Sequence, residues 1–259
     1  MQKSTPFLWR GTMLLASLML RMLHPASAQQ PTPQPAMRSN LSNAWLMFLS
    51  DTRLSKRWGI HAEAQVLRSR TSALGCQNVF RAGANYYVVD NLLLTGGYAY
   101  SQSALDGGLP GAPEHRLYQQ LLLRDTKSRV QLQHRYRLEQ RWVQLQPRQA
   151  FTYLNRMRYQ LRLALPLIGK EMTEGIPFLV ASNEVFLGFG RHENQRLLQQ
   201  NRAYLGLGYQ ITKAAAVEIG YLNQLVLPRQ ESRFEVNENV QFSLCFNPDL
   251  RRSTPATAP

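Results

Sequence analysis

At 259 residues the chain is long enough for one large domain or two small ones, and its 44% hydrophobic and 18% charged content is that of an ordinary globular protein. Its formal charge of +14 points to an anionic partner, whether nucleic acid, a lipid surface or small anions. Beyond the N-terminus no apolar run reaches the roughly 20 residues a membrane-crossing helix needs, which excludes a polytopic helical bundle.

The chain begins as an exported protein does. Lys3 and Arg10 give a positive start, Met13 to Leu20 a short apolar core, and Ala26-Ser27-Ala28 a small-x-small cleavage site. Residues 1–28 therefore read as a secretory signal peptide, since the core is too short for a membrane anchor. Removing Lys3, Arg10 and Arg21 lowers the formal charge from +14 to +11. Export makes nucleic acid an unsuitable partner and leaves anionic lipid headgroups or passing anions. Residues 29–42 (QQPTPQPAMRSNLS) read as a flexible lead-in and residues 249–259 as a disordered tail. A single domain, residues 43–248, lies between them.

That domain alternates. Trp58, Ile60, Ala62, Ala64 and Val66 are interleaved with His61, Glu63 and Gln65. The same holds for Phe80 to Val88, for Met157 to Leu165 against Arg156, Arg158 and Arg162, for Ala203 to Ile211, and for Val240 to Phe246. In QLQHRYRLEQR (131–141), Arg135, Arg137, Glu139 and Arg141 occupy every second position. Period two means strands, because successive side chains point to opposite faces; a helix would scatter these arginines round its surface.

Short turns are expected near Arg53–Arg57, Asp90-Asn91, Asp125–Ser128 and Thr212–Ala214, with a longer hinge at Leu167–Pro177. Longer loops are expected near Ser69–Gly75, Ser103–Pro113, Gln144–Arg148, Arg191–Gln199 and Pro228–Ser232. Turns at one end and loops at the other describe a transmembrane antiparallel up-and-down β-barrel. About eleven strands can be counted. Bacterial barrels have even numbers, so ten to twelve strands are expected, with twelve preferred on the assumption of a missed crossing.

The face assignment follows from the aromatics. Trp58, Tyr86, Tyr98, Tyr100, Tyr209 and Tyr221 fall on the apolar phase near strand ends, as in an interfacial girdle. Gly83, Gly97, Gly206, Gly208 and Gly220 fall on the polar phase, where they would make room for arginines. A lipocalin-like soluble barrel would assign the faces the other way. The inward set is then Arg81, Arg116, Arg124, Arg135, Arg137, Arg141, Arg156, Arg158, Arg162 and Arg202, with Glu63, Glu114, Glu139, Glu184 and Glu218. Arg and Glu pair in forked geometry across strands, and the surplus arginines should meet water, glutamine or an anion.

HRYRLEQR (134–141), EHRLYQQL (114–121), FLVASNEVFLGFG (178–190), GLGYQ (206–210), GYLNQ (220–224) and FNPDLRR (246–252) resemble the domain-of-unknown-function-2490 family. These are predicted outer-membrane barrels of Bacteroidetes-type bacteria. The resemblance spans residues 43–252 and implies place and fold, with no catalytic residues to carry over. The tail after Phe246 departs from the usual terminal-aromatic ending.

Chemistry is sparse. His134 lies on the lipid-facing phase, His115 near a rim and His192 in a loop. Only His61 faces inward, with Glu63 placed to orient it, and no serine stands beside it in a recognisable pattern. Glu139 and Glu184 are surrounded by arginines, which argues against an acid–base pair. Arg191, Arg196 and Arg229 are long-loop residues, either simply solvated or bound to lipopolysaccharide phosphates. Cys76 and Cys245 are expected at opposite rims, hence no disulfide, and no zinc spacing exists. The expectation is a non-enzymatic outer-membrane barrel of a Gram-negative bacterium, reached by Sec-type export and inserted by the barrel-assembly machinery. It would have no cofactor or metal, and would serve as a structural barrel or a narrow anion-preferring pore. The rivals are a lipid-modifying outer-membrane enzyme and a soluble lipocalin-like binding barrel.

Overall fold

The computed structural model describes residues 37–69, 76–104, 110–144, 149–190, 197–227 and 234–251. The described residues form eleven strands: β1 (Met37–Arg53), β2 (Trp58–Ser69), β3 (Cys76–Val89), β4 (Leu92–Ala104), β5 (Pro110–Lys127), β6 (Val130–Val143), β7 (Thr152–Pro166), β8 (Pro177–Phe189), β9 (Leu198–Gln210), β10 (Ala215–Val226) and β11 (Phe234–Phe246). Each pairs with its neighbours in sequence, and β1 meets β11 to close the barrel.

The closure corrects the preferred count of twelve and the purely antiparallel arrangement. β1 and β11 run parallel, in register from Met37 opposite Phe234 to Leu49 opposite Cys245. The even-number expectation assumes that every pair is antiparallel. One parallel seam lets an odd number close, because it joins two strands that run the same way. β1 starts at Met37, so the end of the assigned lead-in belongs to the barrel. The start of the assigned tail is ordered too: the Leu250 amide donates to the Arg53 carbonyl at 2.8 Å, and the Arg53 amide to the Pro248 carbonyl at 2.9 Å.

One rim carries the connections 54–57, 90–91, 128–129, 167–176 and 211–214; the other carries the loops after β2, β4, β6, β8 and β10. Ser128 turns the β5–β6 hairpin with φ of 58°, a left-handed conformation a serine adopts only where a tight turn requires it. In the ten-residue hinge that role falls to Gly169 (φ 72°) and Gly175 (φ 78°). Loop 103–113 is shorter than its Gly/Pro content suggests: β4 runs to Ala104 and β5 starts at Pro110. Proline survives there at a strand end, where a missing donor costs least.

The polarity of the wall is inverted relative to a lipocalin. Leu46, Trp58, Ile60, Phe80, Tyr98, Leu138, Leu205, Leu207, Ile219 and Phe242 are exposed, while Glu63, Arg81, Arg137, Glu139, Arg158 and Glu184 are buried. The interior is not wholly ionic, however. Trp45, Phe178, Val180, Tyr204, Ala216 and Leu222 pack into an inward apolar cluster.

The inward glycines make room for aromatics rather than for arginines. Gly83 and Gly97 face each other across β3 and β4, and a Cβ on either would lie 2.7 Å from the Tyr118 hydroxyl. Gly206 and Gly220 face each other across β9 and β10, with Tyr204 lying over them; a Cβ on Gly206 would lie 2.5 Å from its hydroxyl. A Cβ on Gly208 would sit 2.1 Å from Cζ of Phe178. Flat rings lie down on bare backbone, which fills the interior without widening it.

Candidate functional site

The centre of the barrel is a connected ionic belt. One buried acceptor is Glu63 of β2, which takes Arg81 of β3 and, across the interior, Arg137 of β6 with Nη2 to Oε2 3.0 Å. Arg137 also donates to Gln120 Oε1 at 2.9 and 2.6 Å. Glu139 of β6 accepts from Arg156 at 2.8 and 2.5 Å and from Arg158 at 2.9 Å, and lies 4.0 Å from Arg81. Arg158 turns its other edge to Glu184 of β8 at 3.0 and 2.7 Å, where Arg135 joins at 2.9 Å. The belt thus runs through β2, β3, β6, β7 and β8.

Two smaller groups flank it. Glu114 takes both forks of Arg116 at 2.7 Å and also pairs with Arg141. Glu218 of β10 takes Arg162 of β7 at 3.2 and 2.5 Å, across two intervening strands. Ring faces share the cationic load. Arg158 and Arg156 lie over Phe186 at 4.5 and 5.3 Å, and Arg137 lies over Tyr118 at 5.1 Å.

Every residue of the sequence-derived inward set lies on the interior phase, and Arg124 does so too, reaching Asp51 at 3.5 Å. Arg202 differs from the rest. Among the described residues no carboxylate lies within 4.0 Å of it; it lies over Trp45 at 4.5 Å and Phe186 at 4.7 Å. With its amide oxygen turned inward, Gln200 accepts from Arg202 at 2.7 and 3.1 Å.

The environment of His61 corrects the expected pairing. Its Nδ1 bonds Asp51 Oδ1 at 2.8 Å, whereas Glu63 stands 3.6 Å from Nε2, too far for a hydrogen bond. Asp51 is further fixed by Asn85 at 2.9 Å, itself held by Thr95 at 2.7 Å. Sequence reasoning missed Asp51 because β1 is apolar on both phases: Trp45, Met47 and Leu49 line the interior while Leu46 and Phe48 face out. No hydrogen bond joins His61 to a serine, threonine or cysteine among the described residues, and those residues hold no cluster of three or more His, Cys, Asp or Glu able to bind a metal.

The other described histidines, His115 and His134, lie on the outer face. His134 bonds the Tyr159 hydroxyl at 2.9 Å and His115 the Tyr98 hydroxyl at 2.5 Å. Cys245 is a free thiol 3.9 Å from Glu218 near the short-turn rim, and the backbone of Cys76 opens β3 at the other rim. His192, Arg191, Arg196 and Arg229 lie outside the described residues.

On the short-turn side the belt gives way to a chamber of about 550 Å³. It extends from Asp90, Lys213 and Asp249 at the rim to Arg135, Glu184 and Arg202. At that rim Arg53 Nη1 donates to Asp90 Oδ1 at 2.7 Å, and this bond holds the Asp90 carboxyl below its ordinary value of 3.8. Arg251 does the same for Asp249.

Residues 42–235 match the model of a family described as a protein of unknown function (DUF2490). No curated protein and no solved structure matches the chain. The match covers well over half of the sequence, and the chain belongs to the DUF2490 family.

Proposed function

We propose that this protein is a non-enzymatic outer-membrane β-barrel, exported through its N-terminal segment, whose ionic belt keeps the interior closed. The observation that carries this reading is the inverted polarity of the wall. A closed barrel with leucines, phenylalanines and tyrosines outside and arginine–glutamate pairs inside suits a hydrocarbon surround. Outer-membrane lipids, lipopolysaccharide included, are then its natural neighbours, and the barrel-assembly machinery inserts it. Bridges that join non-adjacent strands, Arg137 to Glu63 and Arg162 to Glu218, support a rigid structural barrel.

Arg202, which has no carboxylate within 4.0 Å among the described residues and lies over Trp45, favours a second reading, the narrow anion-preferring pore. The Asp51–His61 pair is what favours a lipid-modifying enzyme, and among the described residues no serine, threonine or cysteine is hydrogen-bonded to that histidine.

Two measurements test the proposal. The full chain should fractionate with outer membranes, resist carbonate extraction and shift on a gel when boiled. In planar bilayers it should show no steady conductance. Recovery in the soluble periplasmic fraction would overturn the membrane reading. A conductance whose anion preference disappears in Arg135→Ala with Arg137→Ala would replace the closed barrel by the pore.

A further inference from the structure

The chamber on the short-turn side differs in kind from the belt above it. Two inward rows cross adjacent strands at its deep end. One is Arg135, Gln160, Glu184 and Arg202 on β6 to β9. The next is Gln133, Arg162, Ser182 and Tyr204 on the same strands. The guanidiniums of Arg135, Arg158, Arg162 and Arg202 border the chamber with the carboxylates of Glu184 and Glu218, while Asp51, Asp90, Asp125 and Asp249 line it together with Arg53, Arg124 and Lys213. Arg202 supplies the clearest excess, since its polar partner is a neutral amide.

The other wall is apolar. Trp45, Met47, Phe178, Ala216 and Leu222 border the same chamber, with Met172 of the β7–β8 hinge beside them. In a barrel that otherwise turns charge inward, such a wall needs its own account. The two surfaces touch, for the Arg202 guanidinium stacks on the Trp45 ring at 4.5 Å. The tryptophan therefore joins the cationic floor to the greasy wall. The volume of about 550 Å³ falls within the roughly 300–1,000 Å³ of small-molecule sites, which are mostly apolar with a few placed polar groups.

We propose that this chamber is a binding site for a small single-chain amphiphilic anion of the fatty-carboxylate class. Its head group sits on Arg202 and Arg162, and its chain lies along Trp45, Met47, Phe178 and Leu222. The carboxylate gives Arg202 the direct ion pair that Glu184, its register partner on β8, does not make within 4.0 Å, in the forked geometry guanidinium prefers. The chain seats against the apolar lining, where Met47 and Met172 are only partly buried beside the packed cluster. The inference goes beyond the membrane reading and depends only on the barrel and its chamber.

The test uses the full chain in phosphatidylcholine nanodiscs, with empty nanodiscs subtracted. Dodecanoate should bind saturably, one per chain, whereas dodecanol, which lacks the charge, and acetate, which lacks the tail, should bind at least tenfold more weakly. Arg202→Gln should weaken dodecanoate at least tenfold while the boiled-gel shift persists. A dodecanoate with a diazirine at its tail, used on the unaltered protein, should cross-link to Met47, Phe178 or their neighbours. No saturable binding, equal binding of dodecanol, or cross-links confined to outward residues would each overturn the proposal. Acetate or inorganic phosphate competing as well as dodecanoate would reduce the site to one for simple anions and overturn it too. Failure of the fractionation experiment would remove the membrane reading and leave these outcomes standing.

Discussion

Arg137 of β6 reaches Glu63 of β2 across the barrel interior, Nη2 to Oε2 3.0 Å, with three strands of wall between their positions on the sheet. Both side chains are buried, and Glu63 also carries Arg81. Removing one member of such a group leaves the others charged and unpaired in a poor solvent for ions. Glu63→Gln should therefore cost about 3–5 kcal/mol. It should appear as a lower temperature for loss of the folded gel band. Glu218→Gln should cost less, because its partner Arg162 remains partly in contact with water. Equal losses in the two variants would contradict the ranking.

The glycine seats allow a contrast within one experiment. Gly208→Ala drives a methyl into the Phe178 ring, and overpacking of that kind costs typically about 1–3 kcal/mol. Gly96→Ala meets nothing within 4 Å and should leave stability unchanged or slightly raised. Adding Phe178→Leu should recover part of the loss in Gly208→Ala but none in a Gly96→Ala background. Urea unfolding in one detergent would measure all four.

Side-chain direction along β6 is a separate expectation. In a background with Cys76→Ser and Cys245→Ser, single cysteines at 136 and 138 should react with a lipid-embedded maleimide, and those at 135, 137 and 139 should not. Tyr136 and Leu138 are exposed, whereas Arg135, Arg137 and Glu139 are buried. A flat labelling profile would remove the membrane assignment of the outer face.

The parallel seam can be trapped covalently. Phe48 and Leu244 are partners in the β1–β11 register, so Phe48→Cys with Leu244→Cys should form a disulfide under mild oxidation. Failure to cross-link, with a control pair across β10 and β11 succeeding, would mean that another strand separates β1 from β11.

Acid should loosen the short-turn rim first. Arg53 holds the Asp90 carboxyl below its ordinary value. A carboxyl whose folded value lies below its unfolded one stabilises at pH above the unfolded value. It loses that contribution as pH falls through the folded one. The stability difference between the wild type and Asp90→Asn should thus be present at pH 6 and shrink as pH falls below about 3.8. It should be small throughout, since the pair is at the surface.

Much of this architecture is legible in the order of residues, and the reasons it stops being legible are physical. On β6 and β7 the two phases differ so sharply in chemistry that Arg135, Arg137, Glu139, Arg156 and Arg158 announce their face. On β1 both phases are apolar, so neither the inward Trp45 nor Asp51 can be told from its neighbours. Pairs on adjacent strands follow from hairpin register, as Arg156 with Glu139 does. Partners across the interior, such as Glu63 with Arg137, depend on strand number and stagger, which belong to the closed barrel as a whole. The glycines were visible too, but the rings they accommodate sit on other positions of the wall, so they suggested room for arginine instead.

The seam between β1 and β11 has one more consequence, for the ends of the barrel. In a barrel of even count both ends return to one rim, and tags at either end report the same side. Here Met37 stands at the long-loop rim and Phe246 at the short-turn rim. If the barrel spans the outer membrane as proposed, an epitope placed just before Met37 and another just after Arg251 face two different compartments of an intact cell, so that a single external protease treatment reads the molecule's polarity from whichever epitope survives.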